Sequence, residues 1–144
     1  MSAAIPVVVC FVIERDRHVL LLRRNAWKDE APGQWETGSV EPGESLADAA
    51  RREAREETGL ETLLLHEAAP RPLDVDVHEI PARPGEPAHA HLDLRYLVVA
   101  GAGALTRAQE EAADLRWFAW DELEPLRLDP GLRRGLAKAL SYMR

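Results

Sequence analysis

One short stretch limits what this chain can become. Residues Leu46 to Thr58 have the composition of a helix, and that helix places acids where apolar side chains belong. At about 100° per residue, Leu46, Ala49, Ala50 and Ala54 form an apolar stripe, with Asp48, Arg51 and Arg55 on the opposite face. Glu53 and Glu57 then project about 20° either side of Leu46, near the middle of the stripe, and Glu56 falls at its edge. Positions 53, 56 and 57 stand in the i, i+3, i+4 relation, so their carboxylates cluster on one surface. Three carboxylates packed together repel, and partial burial makes each charge harder to sustain. Either their pKa values rise or a cation neutralises them. Hard oxygen ligands that leave room for water and substrate describe a magnesium site. The plainer alternative is a surface helix whose acids pair with Arg51, Arg52 and Arg55, as charge runs commonly do.

The flanking residues favour the first reading. Glu41-Pro42-Gly43-Glu44 is a turn, Ser45 is an N-cap with Asp48 completing an acceptable capping box, and Gly59 is a C-terminal stop. Residues 38 to 60 carry Gly38, Glu44, Arg52, Glu53, Glu56, Glu57, Gly59 and Leu60. In that spacing the segment resembles the Nudix box, G-x5-E-x7-R-E-U-x-E-E-x-G-U, where U is a bulky aliphatic residue. Ala54 is smaller than the usual aliphatic. Glu36 and Thr37 precede Gly38 where many relatives have Pro-Gly, which changes the loop ahead of the box.

The resemblance implies an α/β fold, a mixed β-sheet sandwiched between helices (α/β/α), with a single domain over residues 1–144. It implies a Nudix-type pyrophosphohydrolase acting by metal-assisted attack of water on phosphorus. Glu53, Glu56 and Glu57 would hold one or more Mg2+ or Mn2+ ions, joined by the Gly38 carbonyl. Arg52 would orient a glutamate through a salt bridge, with Glu44 in the same network. The general base would be Glu53 or Glu57 within the box, or Glu110 or Glu111 in the loop before the strand that carries Trp117. The alternative is a non-catalytic Nudix-fold module that binds a nucleotide or regulates a partner; such modules tend to lose box glutamates, and this chain keeps them.

The rest of the chain reads mostly as strands. Ile5 to Ile13 and His18 to Arg23 are two strands joined by a charged turn, and Leu60 to His66, Leu73 to Ile80 and His89 to Ala100 are three more. Leu115 to Trp120 is a short aromatic strand. Asp129-Pro130 supplies an N-cap and an N1 proline to a final amphipathic helix ending near Met143. A chain of 144 residues suits one compact domain. No apolar run is long enough to span a membrane, and the apolar N-terminal run lacks the flanks of a signal peptide. The lone Cys10 excludes an internal disulfide and makes a reducing cytoplasm the default. A net charge of -7 argues against a nucleic-acid polymer as partner, whereas a small phosphorylated ligand can still bind through a metal ion.

A second polar surface stands out. Asp74, Asp76 and His78 alternate with Leu73, Val75 and Val77; His89, His91, Asp93 and Arg95 alternate with Ala90, Leu92, Leu94 and Tyr96. If the two strands pair across Pro81 to Ala88, these polar residues share one face. That face is either solvated, as is common in antiparallel sheets, or a substrate contact made by Asp76, His78, His89, His91, Asp93 and Arg95, or a further metal site. Trp35, with Trp27, flanks the loop before the box, where it anchors the loop or stacks on a base. The family's diadenosine-polyphosphate hydrolases often carry a tyrosine downstream of the box, and none occurs between Leu60 and Arg95. Ordinary or oxidised nucleoside triphosphates are therefore the leading substrate class. A homodimer is expected from the family alone.

Overall fold

The structure, a computed structural model, describes residues 5–14, 18–22, 40–85, 87–101, 105–106, 108 and 115–143. Its elements in chain order are β1 (Ile5–Ile13), β2 (His18–Leu22), α1 (Leu46–Thr58), β3 (Leu63–Leu65), β4 (Asp74–Ile80), β5 (His89–Ala100), β6 (Leu115–Ala119), a 3-10 turn (Trp120–Leu123) and α2 (Pro130–Ser141). The sheet runs β3-β5-β1-β2-β6, and β4 shares the outer edge of β5 with β3. It is mixed: β1 pairs parallel to β5 from Ile5↔His91 to Ile13↔Val99, and the other pairings are antiparallel.

Strand alternation divides the core into two layers. Val8, Cys10, Val12, Leu20, Tyr96, Val98 and Leu115 meet Ala49, Ala50 and Ala54 of α1 on one face. Phe11, Ile13, Val19, Leu21, Leu97 and Phe118 meet Leu132, Leu136 and Ala139 of α2 on the other. This is the sandwich the sequence led us to expect. Gly135 lets α2 approach closely, since a Cβ there would stand 2.7 Å from the ring of Phe11. Trp117 packs in the first layer and Trp120 in the second, as sheet and helix packing require.

The ends of α1 fall where its capping residues put them. The Ser45 hydroxyl accepts from the Asp48 N–H at 3.1 Å, and Gly59 closes the helix with φ 75°. Buried Thr58 donates its hydroxyl to the Ala54 carbonyl and accepts from the Leu60 N–H. Two expectations need correction. The Asp48 carboxylate pairs with Arg51 at 2.5 Å, so Asp48 serves an ion pair in place of the reciprocal half of a capping box. Leu46, assigned to the apolar stripe, is 39% exposed as the first residue of the helix. Outside α1, β3 covers Leu63–Leu65 against the expected Leu60 to His66, with the Gly101 N–H donating to the Thr62 carbonyl and the His66 N–H to the Leu97 carbonyl just beyond its ends. In α2 the Asp129 carboxylate accepts from the Leu132 N–H and Pro130 fills N1, as the sequence indicated. Among the described residues no helix is long and apolar enough to cross a membrane.

Candidate active site

The turn before α1 and the helix itself build the site. Gly43, at φ 79°, takes the left-handed position of the turn, and the Glu44 N–H returns to the Glu41 carbonyl at 3.0 Å. That turn delivers Glu44 to Arg52, two turns into the helix. Arg52 Nε lies 2.8 Å from one Glu44 oxygen and Nη2 3.0 Å from the other, a bidentate pair. Its Nη1 donates to Glu53 at 2.9 Å and more weakly to Glu56 at 3.4 Å. Hydrogen bonding from Arg52 holds the Glu44 carboxyl below its ordinary pKa, and the Glu44 carboxylate holds the Arg52 guanidinium further above its own. The network expected of Arg52, Glu44 and a glutamate is therefore assembled, with Arg52 bracing Glu53.

Glu53 and Glu57 face the sheet side of α1. Together with Val8, Cys10, Val12, Leu20, Ala54 and Leu115 they line an open cleft. Side-chain exposure is 20% for Glu53 against 60% for Glu56, so the third acid stands at the rim. The apolar floor raises the electrostatic effect of each carboxylate above it, because fewer water dipoles screen them. Cys10 lies on this floor. Its burial, and then the nearby Glu57 carboxylate, push its thiol well above the ordinary range, and it donates to the Ala50 carbonyl at 3.2 Å. Such a thiol is inert. Gly38, Trp35, Glu110 and Glu111 lie outside the described residues.

The other sequence-derived candidates lie across the sheet. β4 and β5 pair as anticipated, with Asp74↔Arg95, Asp76↔Asp93 and His78↔His91 in register. Their polar side chains share the α2 face, opposite α1. That face separates into two groups. At one end Asp74, 2% exposed, receives Arg95 at 2.6 Å, Arg134 at 2.9 Å and Lys138 at 2.7 Å. Asp76 lies 3.6 Å from Arg95 and 3.5 Å from Arg134. Arg95 is 3% exposed and faces acids and the Gly131 carbonyl of α2. At the other end His78, His89, His91 and Asp93 gather; His78 Nε2 is 3.0 Å from Asp93 and His89 Nε2 is 3.1 Å from His91 Nε2. Sequence reasoning missed Arg134 and Lys138, though their i, i+4 spacing on an amphipathic helix marks a shared face.

Fold and site together define a class: an α/β/α hydrolase domain with an acidic helix laid over an apolar cleft. The family description NUDIX domain matches residues 4–139. Nucleoside triphosphatase NudI of Escherichia coli O1:K1 / APEC is 31% identical over 131 residues, 90% of this chain and 92% of that protein. The same-named protein of Klebsiella pneumoniae is 47% identical over 60 residues, 41% of this chain and 43% of that one. Among solved structures, the Ap4A hydrolase of C. elegans matches with TM-score 0.66 at 17% identity, covering 99% of this chain and 100% of that one. The mismatch-repair protein MutT from methicillin-resistant Staphylococcus aureus matches with TM-score 0.63 at 21% identity, covering 98% of each chain. These two likenesses concern the fold. The chain belongs to the Nudix family and is a Nudix-type pyrophosphohydrolase.

Proposed function

We propose that this enzyme hydrolyses a diphosphate linkage in a nucleoside triphosphate, using Mg2+ or Mn2+ held by Glu53, Glu56 and Glu57 with the Gly38 carbonyl. The observation that carries the reading is the inward placement of Glu53 and Glu57 over the cleft, with Arg52 bracing Glu53. The donor set fits the ion. It consists of carboxylate oxygens, the ligands that Mg2+ and Mn2+ prefer, and Glu44, Glu53 and Glu56 converge on the single guanidinium of Arg52. The NudI relatives, named as nucleoside triphosphatases, support the choice of substrate.

When bound, the ion would neutralise the diphosphate and lower the pKa of the attacking water. The chain's own residues supply the rest. A carboxylate, Glu57 or Glu53 within the box or Glu110 or Glu111 outside it, takes the proton as the water oxygen bonds to phosphorus. The anhydride P–O bond breaks, and the leaving phosphate carries away the bonding electron pair. Arg52 fixes one ligand carboxylate, that of Glu53.

The test is a turnover screen of nucleoside triphosphates, sugar nucleotides and dinucleotides with magnesium and with manganese. Nucleoside triphosphates should turn over fastest, with activity abolished by chelator and restored by either ion. Faster cleavage of a dinucleotide or sugar nucleotide would overturn the substrate class; full activity in chelator would overturn the metal role. A second expectation concerns Arg52. Lysine in its place keeps the charge and loses the planar fork that grips both Glu44 oxygens. Arg52→Lys should weaken activating-metal affinity about 10–100-fold, read as a shift in the magnesium dependence of the rate.

A further inference from the structure

Across the sheet from the box, the histidine-rich end of the β4–β5 face has the makings of a second metal centre. One ligand atom each from His78, His91 and Asp93 lie within 4.8 Å of one another. His78 comes from β4 and the other two from β5, so any ion held there would tie an edge strand to its neighbour. Asp93 is 5% exposed. Its Oδ2 meets His78 at 3.0 Å, while Oδ1 is buried with no hydrogen-bond partner among the described residues. A buried carboxylate oxygen left without a partner carries its full desolvation penalty, and a coordinated cation is one way to satisfy it.

His89 adds a tautomer argument. Its Nδ1 lies 3.0 Å from the Pro87 carbonyl, which can only accept, so Nδ1 carries the hydrogen. The lone pair of the neutral ring is then on Nε2, which accepts the hydrogen bond from His91 Nε2 at 3.1 Å. A ring nitrogen fixed by a backbone carbonyl is the usual arrangement of a metal-ligating histidine, and loading an ion would exchange the His89–His91 hydrogen bond for a bond to the metal. The 3.0 Å between His78 Nε2 and Asp93 Oδ2 is close to the separation of about 3.3 Å between adjacent ligand atoms on a tetrahedral zinc with bonds near 2.0–2.1 Å. We propose that His78, His91 and Asp93, with His89 beside them as a fourth donor, form a binding site for zinc or a similar late first-row divalent ion.

Two features bear on whether a cation is tolerated. Arg95 Nη2 stands 3.6 Å from the same Asp93 oxygen that faces His78, a repulsive neighbour. Asp74 and Asp76 lie against that guanidinium and offset its charge. His78 is 38% exposed along its side chain, which gives an ion a path from solvent. The nitrogen-rich set also differs in kind from the all-oxygen box. Imidazoles favour zinc over magnesium, so the two centres should load independently.

The experiment is zinc equilibrium dialysis in excess magnesium, with metal content then measured by atomic spectrometry. Wild type and Glu57→Gln should each retain one equivalent of zinc; the His78→Ala/His91→Ala double variant should retain at least tenfold less at the same free zinc. A hundredfold excess of zinc over its Kd should raise the melting temperature of wild type by about 5–10 °C and leave the double variant unmoved. Equal zinc in wild type and a folded double variant, or loss of zinc in Glu57→Gln alone, would overturn the proposal. A variant that fails to fold leaves a second readout on wild type: the imidazole NMR signals of the chain's 5 histidines during zinc titration. Shifts centred on His78 and His91 support the site, and shifts confined to His18 or His66 overturn it.

Discussion

Replacing Glu57 by glutamine should lower turnover by about 10²–10⁴-fold while the melting temperature stays within a few degrees of wild type. The exchange is nearly isosteric and removes one negative charge. Whether Glu57 acts as metal ligand or as proton acceptor, that charge is what the chemistry uses. Stability should not suffer. The glutamate shares a half-buried cleft with Glu53, so the exchange removes one of two like charges that line it. The loss should appear in kcat at saturating magnesium if Glu57 moves the proton, and should be partly rescued by more metal if it is mainly a ligand. Asp48→Asn is the matched control, since it removes the same charge from the same helix at a carboxylate whose ion pair is with Arg51. Steady-state kinetics over a magnesium series, with circular dichroism for the fold, decides the matter. Near-wild-type turnover of Glu57→Gln in saturating magnesium would remove Glu57 from the mechanism.

The features readable from sequence were those governed by local rules. Helix α1 could be bounded from Ser45 and Gly59 because capping is a contact within a few residues, and the observed ends agree. The parity of β4 and β5 was legible for the same reason: side chains alternate whatever the sheet order. What lay beyond reach was set by distant pairing. The parallel register of β1 on β5, which decides that Cys10 faces α1 and Phe11 faces α2, joins Cys10 to Tyr96 and Phe11 to Leu97. No local pattern encodes that choice. Whether the polar strand face was solvated likewise depended on α2, whose Arg134 and Lys138 reach Asp74 from 60 and 64 residues away. The box itself was recognisable as a motif, yet its cleft is lined by β1, β2 and β6, which only the folded sheet brings beneath it.

That distant contact leads to the second large effect, one of stability. Asp74→Ala should destabilise the protein by about 3–5 kcal/mol, a large share of the roughly 5–15 kcal/mol typical of a domain. Arg95, 3% exposed, would lose its 2.6 Å partner and remain a buried cation with longer contacts to Asp76, Asp93 and the Gly131 carbonyl. Arg134 and Lys138 are about half exposed and can turn to water, so Arg95 dominates the cost. The same group sets a pH dependence. Burial alone would raise the Asp74 pKa, but hydrogen bonds from Arg134, Lys138 and Arg95 outweigh it and hold the carboxyl well below its ordinary value. A depressed folded-state pKa stabilises the protein above the unfolded carboxylate pKa of about 3.9 and is lost as pH falls toward the folded value. Urea unfolding at pH 7 and at pH 3 should therefore show the gap between wild type and Asp74→Asn narrowing in acid. Because the network is across the sheet from Glu53 and Glu57, the fraction of variant still folded should keep wild-type KM. An Asp74→Asn protein that unfolds with wild type at pH 7 would show that the α2 cations do not depend on this carboxylate.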